Sequence, residues 1–424
     1  MSRAAEFLNK HRMSPELVDP IIYAKKMLAD MEAGLRGEKS FMPMIPTYIK
    51  ADGNIEKNKP VIVIDAGGTN FRCALAEFTD GGCTLTNVEK HKMPGIGKAA
   101  TWEEFISFTA DKIQPLTDRS DYIGFCFSYN AEITPEVDGR VKRIDKEVVI
   151  TGSSGKLVGK SLSEELARRG IPGKRVFVLN DTVAALLGAS YGLDKSAYSG
   201  FIGQICGTGA NTCCVLPYSR IAKVERNDDV SILVNLESGL YAGFEQGDFD
   251  RVLDSSSNNP NEKIMEKMVS GAYLGEIGRL CLLAAADEGY LSEKACEKVR
   301  RLEHIDTSVL DAWASENELD RVCETAQDRE FVVEMSIALF DRSARCMCSN
   351  IAGIMLLSGA GKCREKPVCI CAEGSLIDKS RYFRPFFEAH LKKYAEEGMG
   401  LYSELHIGYE TTLPGSAAAA LLNI

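Results

Sequence analysis

The run of residues 61–75 constrains the fold of this chain more than any other segment. It reads VIVIDAGGTNFRCAL, so a β-branched apolar run ends at Asp65 and apolar residues resume after Arg72. Because β-branched residues favour strands and Gly67-Gly68 permits a tight turn, the run predicts a β-hairpin. The backbone N–H groups of such a turn are open to an anion, while Asp65 can face a metal ion and Arg72 can bind a phosphate. An ordinary tight hairpin with a capping aspartate is the alternative interpretation.

The bulk composition is typical of a large globular enzyme. The chain has 424 residues, which is too long for one hydrophobic core and predicts two lobes or domains. Its net charge of −10 argues against a nucleic acid or an anionic membrane as the main partner. No apolar run is long enough to span a bilayer and no signal peptide is visible, so we expect a cytoplasmic location. The 14 cysteines lie mostly in apolar runs, which predicts reduced thiols rather than disulfides or a zinc site.

A second strand–turn–strand pattern follows the first after about 140 residues. Residues 201–206 predict a strand, Gly207-Thr208-Gly209 a turn, and residues 212–216 a returning strand. Two such hairpins predict two related halves, each with a mixed sheet and each holding part of one ligand, and therefore an α/β fold. We also expect a helix that begins at Ser14-Pro15 and ends before Gly34, followed by an irregular segment.

The run VFVLND ends an apolar strand at Asn180-Asp181, directly before a predicted helix. An acid at the carboxyl end of a buried strand faces the crevice of an α/β sheet, although aspartate is also a preferred helix N-cap. Phosphoryl transfer to a hydroxyl needs positioning, charge neutralisation and a proton acceptor. In a chain with two phosphate hairpins, Asp181 is a candidate for that acceptor.

Seven motifs occur along the chain in the order DAGGTNFR, GFCFS, LNDT, GTGANTC, NLESG, MEKMVSGAYLGEIGRL and AEGSL. Together with Ile45-Pro46-Thr47-Tyr48, this series resembles the hexokinase family, within the superfamily that also contains actin and the heat-shock chaperone ATPases. The resemblance implies an α/β, two-lobed, actin-like (ribonuclease H-like) fold with a cleft between the lobes. It implies a small lobe of residues 61–180 and 413–424 and a large lobe of residues 1–60 and 181–412, which close over the sugar.

The resemblance also implies the reaction and the residues that carry it. The terminal phosphate of ATP would pass to the 6-hydroxyl of a hexose, glucose first, with Mg²⁺ as cofactor. Asp181 would be the general base and Lys146 a second catalytic residue, while Asp65 would bind Mg²⁺ through water and Asp181 would be a further metal contact. The implied sugar-binding residues are Ser128, Asp145, Lys146, Asn180, Asp181, Asn211, Glu237 and Glu266. The implied nucleotide-binding residues are Asp65, Gly67, Gly68, Thr69, Asn70, Arg72, Gly207, Thr208, Gly209, Gly374, Ser375, Gly415 and Ser416.

The chain departs from the family pattern around the implied sugar site. The family's Trp-Thr-Lys is Ile144-Asp145-Lys146 here, a frequent Gln is Lys263, the usual Pro after Phe-Ser-Phe is Asn130, and the last Gly of Gly-Ser-Gly is Ala417. We expect Asp145 and Lys263 to alter the choice of hexose, admitting mannose, fructose or an amino sugar. Taken alone, Glu266 lies in a helix of alternating charges and is typical of a solvated surface.

Two other classes of protein compete with an active kinase. A sugar sensor with an inactive kinase fold would not need Asp65, Arg72, Lys146 and Asp181, all of which are present. A chaperone-like or actin-like ATPase would leave Asn180, Asn211, Glu237 and Glu266 without a role. The predicted partners are therefore a hexose, with no nucleic acid and no membrane, and the predicted assembly is a monomer or a homodimer.

Overall fold

Five strands form the smaller of two mixed β-sheets. The structure, a computed structural model, describes residues 1–144, 148–226 and 228–424. From edge to edge, the smaller sheet contains β10 (Arg175–Leu179), β6 (Tyr122–Phe127), β2 (Val61–Gly67), β3 (Asn70–Thr79) and β4 (Gly82–Lys92). The first three strands are parallel, and β3 and β4 are antiparallel to their neighbours. We call this sheet and the helices on its outer face the small lobe.

Six strands form the larger sheet, which is also mixed. In order, it contains β1 (Ile45–Lys50), β13 (Ser231–Asn235), β12 (Ala210–Pro217), β11 (Gly200–Cys206), β14 (Val368–Glu373) and β15 (Ser403–Ile407). We call this sheet and its helices the large lobe. Two short ladders, β5 (Ala100–Thr101) with β9 (Ile150–Thr151) and β7 (Asn130–Ile133) with β8 (Gly139–Arg143), extend the small lobe.

Helices cover both lobes and also lie between them. They are α1 (Arg3–Lys10), α2 (Pro20–Arg36), α3 (Trp102–Ile113), α4 (Val158–Arg168), α5 (Asp181–Ser190), α6 (Asp248–Ser256), α7 (Ile264–Val269), α8 (Leu274–Asp287), α9 (Glu293–Val299), α10 (Thr307–Ala314), α11 (Ala326–Ser358), α12 (Ser375–Lys379), α13 (Phe383–His390) and α14 (Thr412–Leu422). Within the described ranges, none of them combines the length and apolar character that crossing a bilayer requires.

Helices α5 and α14 form the layer between the two sheets. Buried residues of both helices pack in one cluster with Val63 of the smaller sheet and Cys371 of the larger sheet. The helices are rich in small residues, so their backbones approach closely, and a Cβ atom at Gly415 would overlap the carbonyl oxygen of Ala184. This close packing holds both helices against both sheets.

The fold class predicted from the sequence is confirmed, because each lobe is built on a mixed sheet flanked by helices. Both predicted hairpins are present, with Asp65 paired with Arg72 across β2 and β3, and Cys206 paired with Ala210 across β11 and β12. Asp181 opens α5 directly after β10, as its sequence pattern predicts.

Two local predictions are wrong. The helix predicted from Ser14 begins at Pro20 instead, because the Asp19 carboxylate accepts hydrogen bonds from the first N–H groups of α2 and caps the helix there. It continues through Gly34 and ends at Arg36, and Gly37, with a φ of 74°, caps its C-terminus. Part of the segment predicted to be irregular forms β1, since this strand pairs with the distant β13.

Candidate active site

The carboxyl ends of three parallel strands bring predicted residues side by side. Asp65 on β2 is in register with Cys126 on β6, which is in register with the last residue of β10. Two residues beyond these positions lie Gly67, the last residue of β2, Ser128, which directly follows β6, and Asp181, which opens α5. Because equivalent positions of paired parallel strands are neighbours, the glycine turn, a hydroxyl and the candidate base share one edge of the smaller sheet. Asp65 and Ser128 are buried there.

Asp65 and Arg72 form an ion pair at the base of the first hairpin. The Nε and Nη2 atoms of Arg72 lie 3.0 Å and 2.6 Å from Asp65 Oδ2, and the Nη2 atom also donates to the Thr412 hydroxyl at 2.9 Å. The other carboxylate oxygen, Oδ1, faces the turn, where a Cβ atom on Gly67 would lie 3.3 Å away. The pair therefore leaves one anionic oxygen directed at the glycine turn, with Thr69 and Asn70 exposed beyond it.

The second turn, in the large lobe, is packed against the start of α12. A Cβ atom on Gly207 would lie 2.9 Å from the Ser375 backbone nitrogen and 3.2 Å from the Gly374 Cα atom. The Gly271 N–H group donates to the carbonyl oxygen of Gly207 at 2.7 Å. The structure thus brings together the predicted nucleotide contacts of two separate segments, with Thr208 exposed at the tip of the turn.

Amide side chains link three of the predicted sugar-binding residues. Asn211 Nδ2 donates to Asn235 Oδ1 at 2.9 Å and lies 3.5 Å from Asn180 Oδ1. Asn235 Nδ2 in turn donates to Glu237 Oε1 at 2.7 Å. Asn235 was missed in the sequence analysis because it ends an apolar strand, although its place two residues before Glu237 on the same face was a usable signal.

Glu266 points into the site and not to solvent, so the surface interpretation of its helix does not apply to this residue. Its Oε2 atom accepts the Ala210 N–H group at 3.2 Å, and its Oε1 atom lies 3.5 Å from Lys263 Nζ. Gly209 and Gly239 make room for it, because a Cβ atom on either would lie about 3 Å from the Glu266 side chain. A side-chain exposure of 18% agrees with this position.

The carboxyl group of Glu237 has a raised pKa. Desolvation is the main cause, and it is opposed by the hydrogen bond from Asn235 and increased by the negative charges of Asp181 and Glu266. Glu237 also adopts a left-handed backbone conformation with φ of 55°, which is uncommon for a residue with a side chain. A strained, desolvated carboxyl beside other acids is typical of a functional site.

Glu373, at the end of β14, is a further carboxyl group that the sequence analysis did not single out. Its Oε2 atom accepts hydrogen bonds from the hydroxyl and the backbone N–H of Thr411. Desolvation raises the pKa of this carboxyl, as does the charge of Asp65, while Thr411 and Arg72 lower it. The acid directly before Gly374-Ser375 was the available signal.

Two predicted site residues are buried in a helix, and two others lie outside the described residues. Gly415 and Ser416 are buried in the packing of α14, and the Ser416 hydroxyl donates to the Thr412 carbonyl oxygen at 2.7 Å. Asp145 and Lys146 lie outside the described residues. Arg143, the last residue of β8, contacts the large lobe, where its Nη2 atom lies 2.8 Å from Glu262 Oε2.

Comparison with known proteins gives one consistent family. Two family models described as hexokinase match residues 3–191 and residues 201–422. The chain is 30% identical over 436 residues to the chloroplastic hexokinase-2 of Nicotiana tabacum, covering 94% of this chain and 85% of that protein. It is 27% identical over 403 residues to hexokinase-1 of Schizosaccharomyces pombe, covering 88% and 81%.

Solved structures show the same fold. A hexokinase of Schistosoma mansoni in complex with glucose superimposes with a TM-score of 0.78 at 22% identity, covering 99% of both chains. A second structure, described as a hexokinase, has a TM-score of 0.83 at 21% identity and covers 99% of this chain and 98% of that one.

Proposed function

This chain belongs to the hexokinase family of ATP-dependent hexose kinases, and we propose that its two turns and its amide chain form one active site with Asp181 as the general base. The observation that carries the proposal concerns Asn180-Asp181, which directly follow β10, the neighbour of β6 and β2, while Asn180 Oδ1 lies 3.5 Å from Asn211 Nδ2 of the amide chain. The buried thiol of Cys126 supports it. Its pKa is raised by desolvation and then by the negative charges of Asp65 and Asp181.

Asp181 has a geometry suited to accepting a proton. The backbone N–H and the hydroxyl of Thr182 lie 2.8 Å and 3.3 Å from its Oδ1 atom, which orients the carboxylate. In the part of the chain that the structure describes, these bonds leave Oδ2 available to the incoming sugar hydroxyl. Removal of that proton makes the hydroxyl oxygen a better nucleophile toward the terminal phosphorus of ATP.

The phosphate tail of ATP would lie between the two glycine turns. Arg72 and the N–H groups of Gly67-Gly68 would contact it from the small lobe, and Thr208-Gly209 from the large lobe. The site also fits Mg²⁺, because Asp65 Oδ1 is a hard anionic oxygen that faces the turn. Asp65 would hold the ion through water, and the ion would neutralise phosphate charge as the bond to the leaving group breaks.

The sugar would bind to amide and carboxylate groups of the large lobe and to Asn180 at the edge of the small lobe. Hexose hydroxyls both donate and accept hydrogen bonds, which matches the mixed donors and acceptors of Asn180, Asn211, Glu237 and Glu266. We propose glucose as the first substrate, in line with the glucose bound to the related structure. Lys263 lies next to Glu266 and is the described departure most suited to altering hexose choice.

We further propose the lobe boundaries, the closure and the setting of the enzyme. The strands of the smaller sheet fall within residues 61–179, which supports a small lobe of residues 61–180 with residues 413–424. Closure of the lobes on the sugar would exclude water, which otherwise competes as phosphoryl acceptor. The described cysteines are free thiols, which supports a reducing, cytoplasmic setting.

Replacement of the base tests the mechanism. We expect Asp181→Asn to lower kcat by about 10²–10⁴, because the amide keeps the bond from Thr182 but cannot accept a proton. The readout is hexose 6-phosphate in a coupled assay, with Asp111→Asn, an exposed carboxylate of α3, as control. Activity of Asp181→Asn within tenfold of the wild type would remove Asp181 from the mechanism. Sugar binding without product would instead favour a sensor, and ATP hydrolysis that is independent of sugar would favour an ATPase.

A further inference from the structure

Thr412, the first residue of α14, contacts both members of the Asp65–Arg72 pair. Its hydroxyl accepts a hydrogen bond from Arg72 Nη2 at 2.9 Å and lies 3.4 Å from Asp65 Oδ2. Thr412 and Asp65 are both 8% exposed, so the three groups meet where water is largely excluded. A hydrogen bond in such a place has greater weight than one at the surface.

The preceding residue makes the equivalent contact with the large lobe. Thr411 donates its hydroxyl to Glu373 at the end of β14, and its backbone N–H lies 3.3 Å from the same carboxyl oxygen. Consecutive threonines therefore hold one acid from each sheet. As a result, the start of α14 links Asp65 of the smaller sheet with Glu373 of the larger sheet.

Helix α14 is a rigid support for these threonines. A Cβ atom on Gly415 would overlap the backbone of α5, and one on Gly124 would overlap the backbone of Ser416. Such close backbone contacts leave the helix little freedom to shift. The Thr412 hydroxyl is consequently fixed relative to α5 and to the smaller sheet, and it can set the orientation of a side chain that is itself long and flexible.

We propose that Thr412 is a positioning residue that orients Arg72 and Asp65 for the terminal phosphates of MgATP. The proposal rests on the proposed function. The Nε and Nη2 groups of Arg72 contact Asp65 and Thr412, and these contacts fix the plane of the guanidinium. Because the group is planar, fixing its plane also fixes the direction of the Nη1 donors. Without the Thr412 hydroxyl, the Arg72 guanidinium keeps its contact with Asp65 but loses the second contact that orients its plane.

Removal of the hydroxyl tests this role. We expect Thr412→Val, which has nearly the same shape, to raise the KM for MgATP about tenfold, the effect of one hydrogen bond to a charged group. The Mg²⁺ concentration required for half-maximal rate should rise with it, while the KM for hexose stays within twofold. Thr412→Ser keeps the hydroxyl and should behave as the wild type. Thr109→Val is the matched control, because Thr109 is buried in α3 and donates only to its own helix, at Phe105.

A double variant shows whether the effect passes through Arg72. In an Arg72→Lys background, Thr412→Val should add less than twofold to the KM for MgATP, because the oriented guanidinium is already absent. The proposal is overturned if Thr412→Ser raises this KM as much as Thr412→Val, if the KM for hexose rises equally, or if the two changes multiply.

Direct titration of MgATP onto the protein without sugar separates this proposal from the proposed function. A wild type that binds MgATP but forms no hexose phosphate would contradict the function, and weaker binding by Thr412→Val would still support the role of Thr412. Equal binding of MgATP by the wild type and Thr412→Val would overturn the role of Thr412 even if hexose phosphorylation is intact.

Discussion

The two glycine turns of the site look alike in sequence but differ in how they are held. In the small-lobe turn, a Cβ atom on Gly68 would have no neighbour within 4 Å, and the φ of 39° explains the glycine. In the large-lobe turn, Gly207 is pressed against the backbone of Gly374-Ser375 and accepts a hydrogen bond from Gly271. Gly68 is therefore needed for its backbone conformation, and Gly207 is needed because a side chain would have no room.

The same difference extends to the residues beside each turn. On the large-lobe side, the side chains from Asn180 to Glu237 form a connected chain of hydrogen bonds, and Glu266 is bound to the turn itself. On the small-lobe side, Thr69 and Asn70 are exposed. We infer that the large-lobe side is a pre-formed platform. In the small-lobe turn, the carbonyl oxygens of Gly68 and Thr69 accept hydrogen bonds from the Tyr129 hydroxyl and the Met93 N–H group, while the side chains stay open to the phosphates.

The largest expected effect comes from placing a methyl group in each turn. Gly207→Ala should lower the free energy of unfolding by about 3 kcal/mol, since the atoms it meets are backbone and cannot move aside. Gly68→Ala should cost only about 1 kcal/mol, because the space is open and only the backbone conformation is unfavourable. Chemical denaturation of both variants measures the difference. Equal losses would contradict the contrast between the two turns.

A smaller effect on stability is expected from the carboxyl of Glu237, which lies in the large-lobe platform. Its pKa is raised above the ordinary value of 4.5, so the folded protein holds this proton to a higher pH than the unfolded chain. The stability it contributes is complete below pH 4.5 and is lost as the pH rises through the raised pKa. Among the described residues, the charged groups that influence it are Asp181, Lys263 and Glu266.

Glu237→Gln removes this titration. The free energy of unfolding of the variant, relative to the wild type, should therefore increase as the pH rises from 4.5 toward 7. Glu373, whose pKa is also raised, is present in both proteins and cancels from the comparison. Denaturation curves at a series of pH values provide the measurement, and a constant difference at all pH values would refute the assignment.

The smallest expected effect is a change in the KM for hexose when the ion pair that joins the two lobes is removed. Arg143 and Glu262 are about half exposed, so their attraction is screened by water and salt. If the pair assists closure on the sugar, Glu262→Gln should raise the KM for hexose about twofold at low salt and have no effect at high salt. Glu318→Gln, which breaks the comparable pair with Arg321 in the large lobe, is the control. Steady-state kinetics with the exchanged pair Arg143→Glu and Glu262→Arg should restore the wild-type KM.

Much of the site was predictable because its parts depend on neighbours in the chain. The hairpin around Asp65, the Gly207 turn and the strand that ends at Asp181 were each indicated by a few adjacent residues, and the structure contains all three. Strand β1 was not predicted, because its partner β13 lies far along the chain. The nucleotide contacts that the family resemblance implies at Gly415 and Ser416 stay a prediction, and both residues are buried in α14.

Short-range chemistry along the chain thus specifies the turns, the strand ends and the acids that can act on a phosphate. Only the tertiary structure decides that Asn235 links the sugar-binding side chains, that Glu373 joins the phosphate side, and that Thr412 contacts Arg72. Most of these contacts join residues from separate strands and helices. Because a hydrogen bond depends on distance in space and not on separation in the chain, a local pattern could single out Asn235 or Glu373 but could not reveal their distant partners.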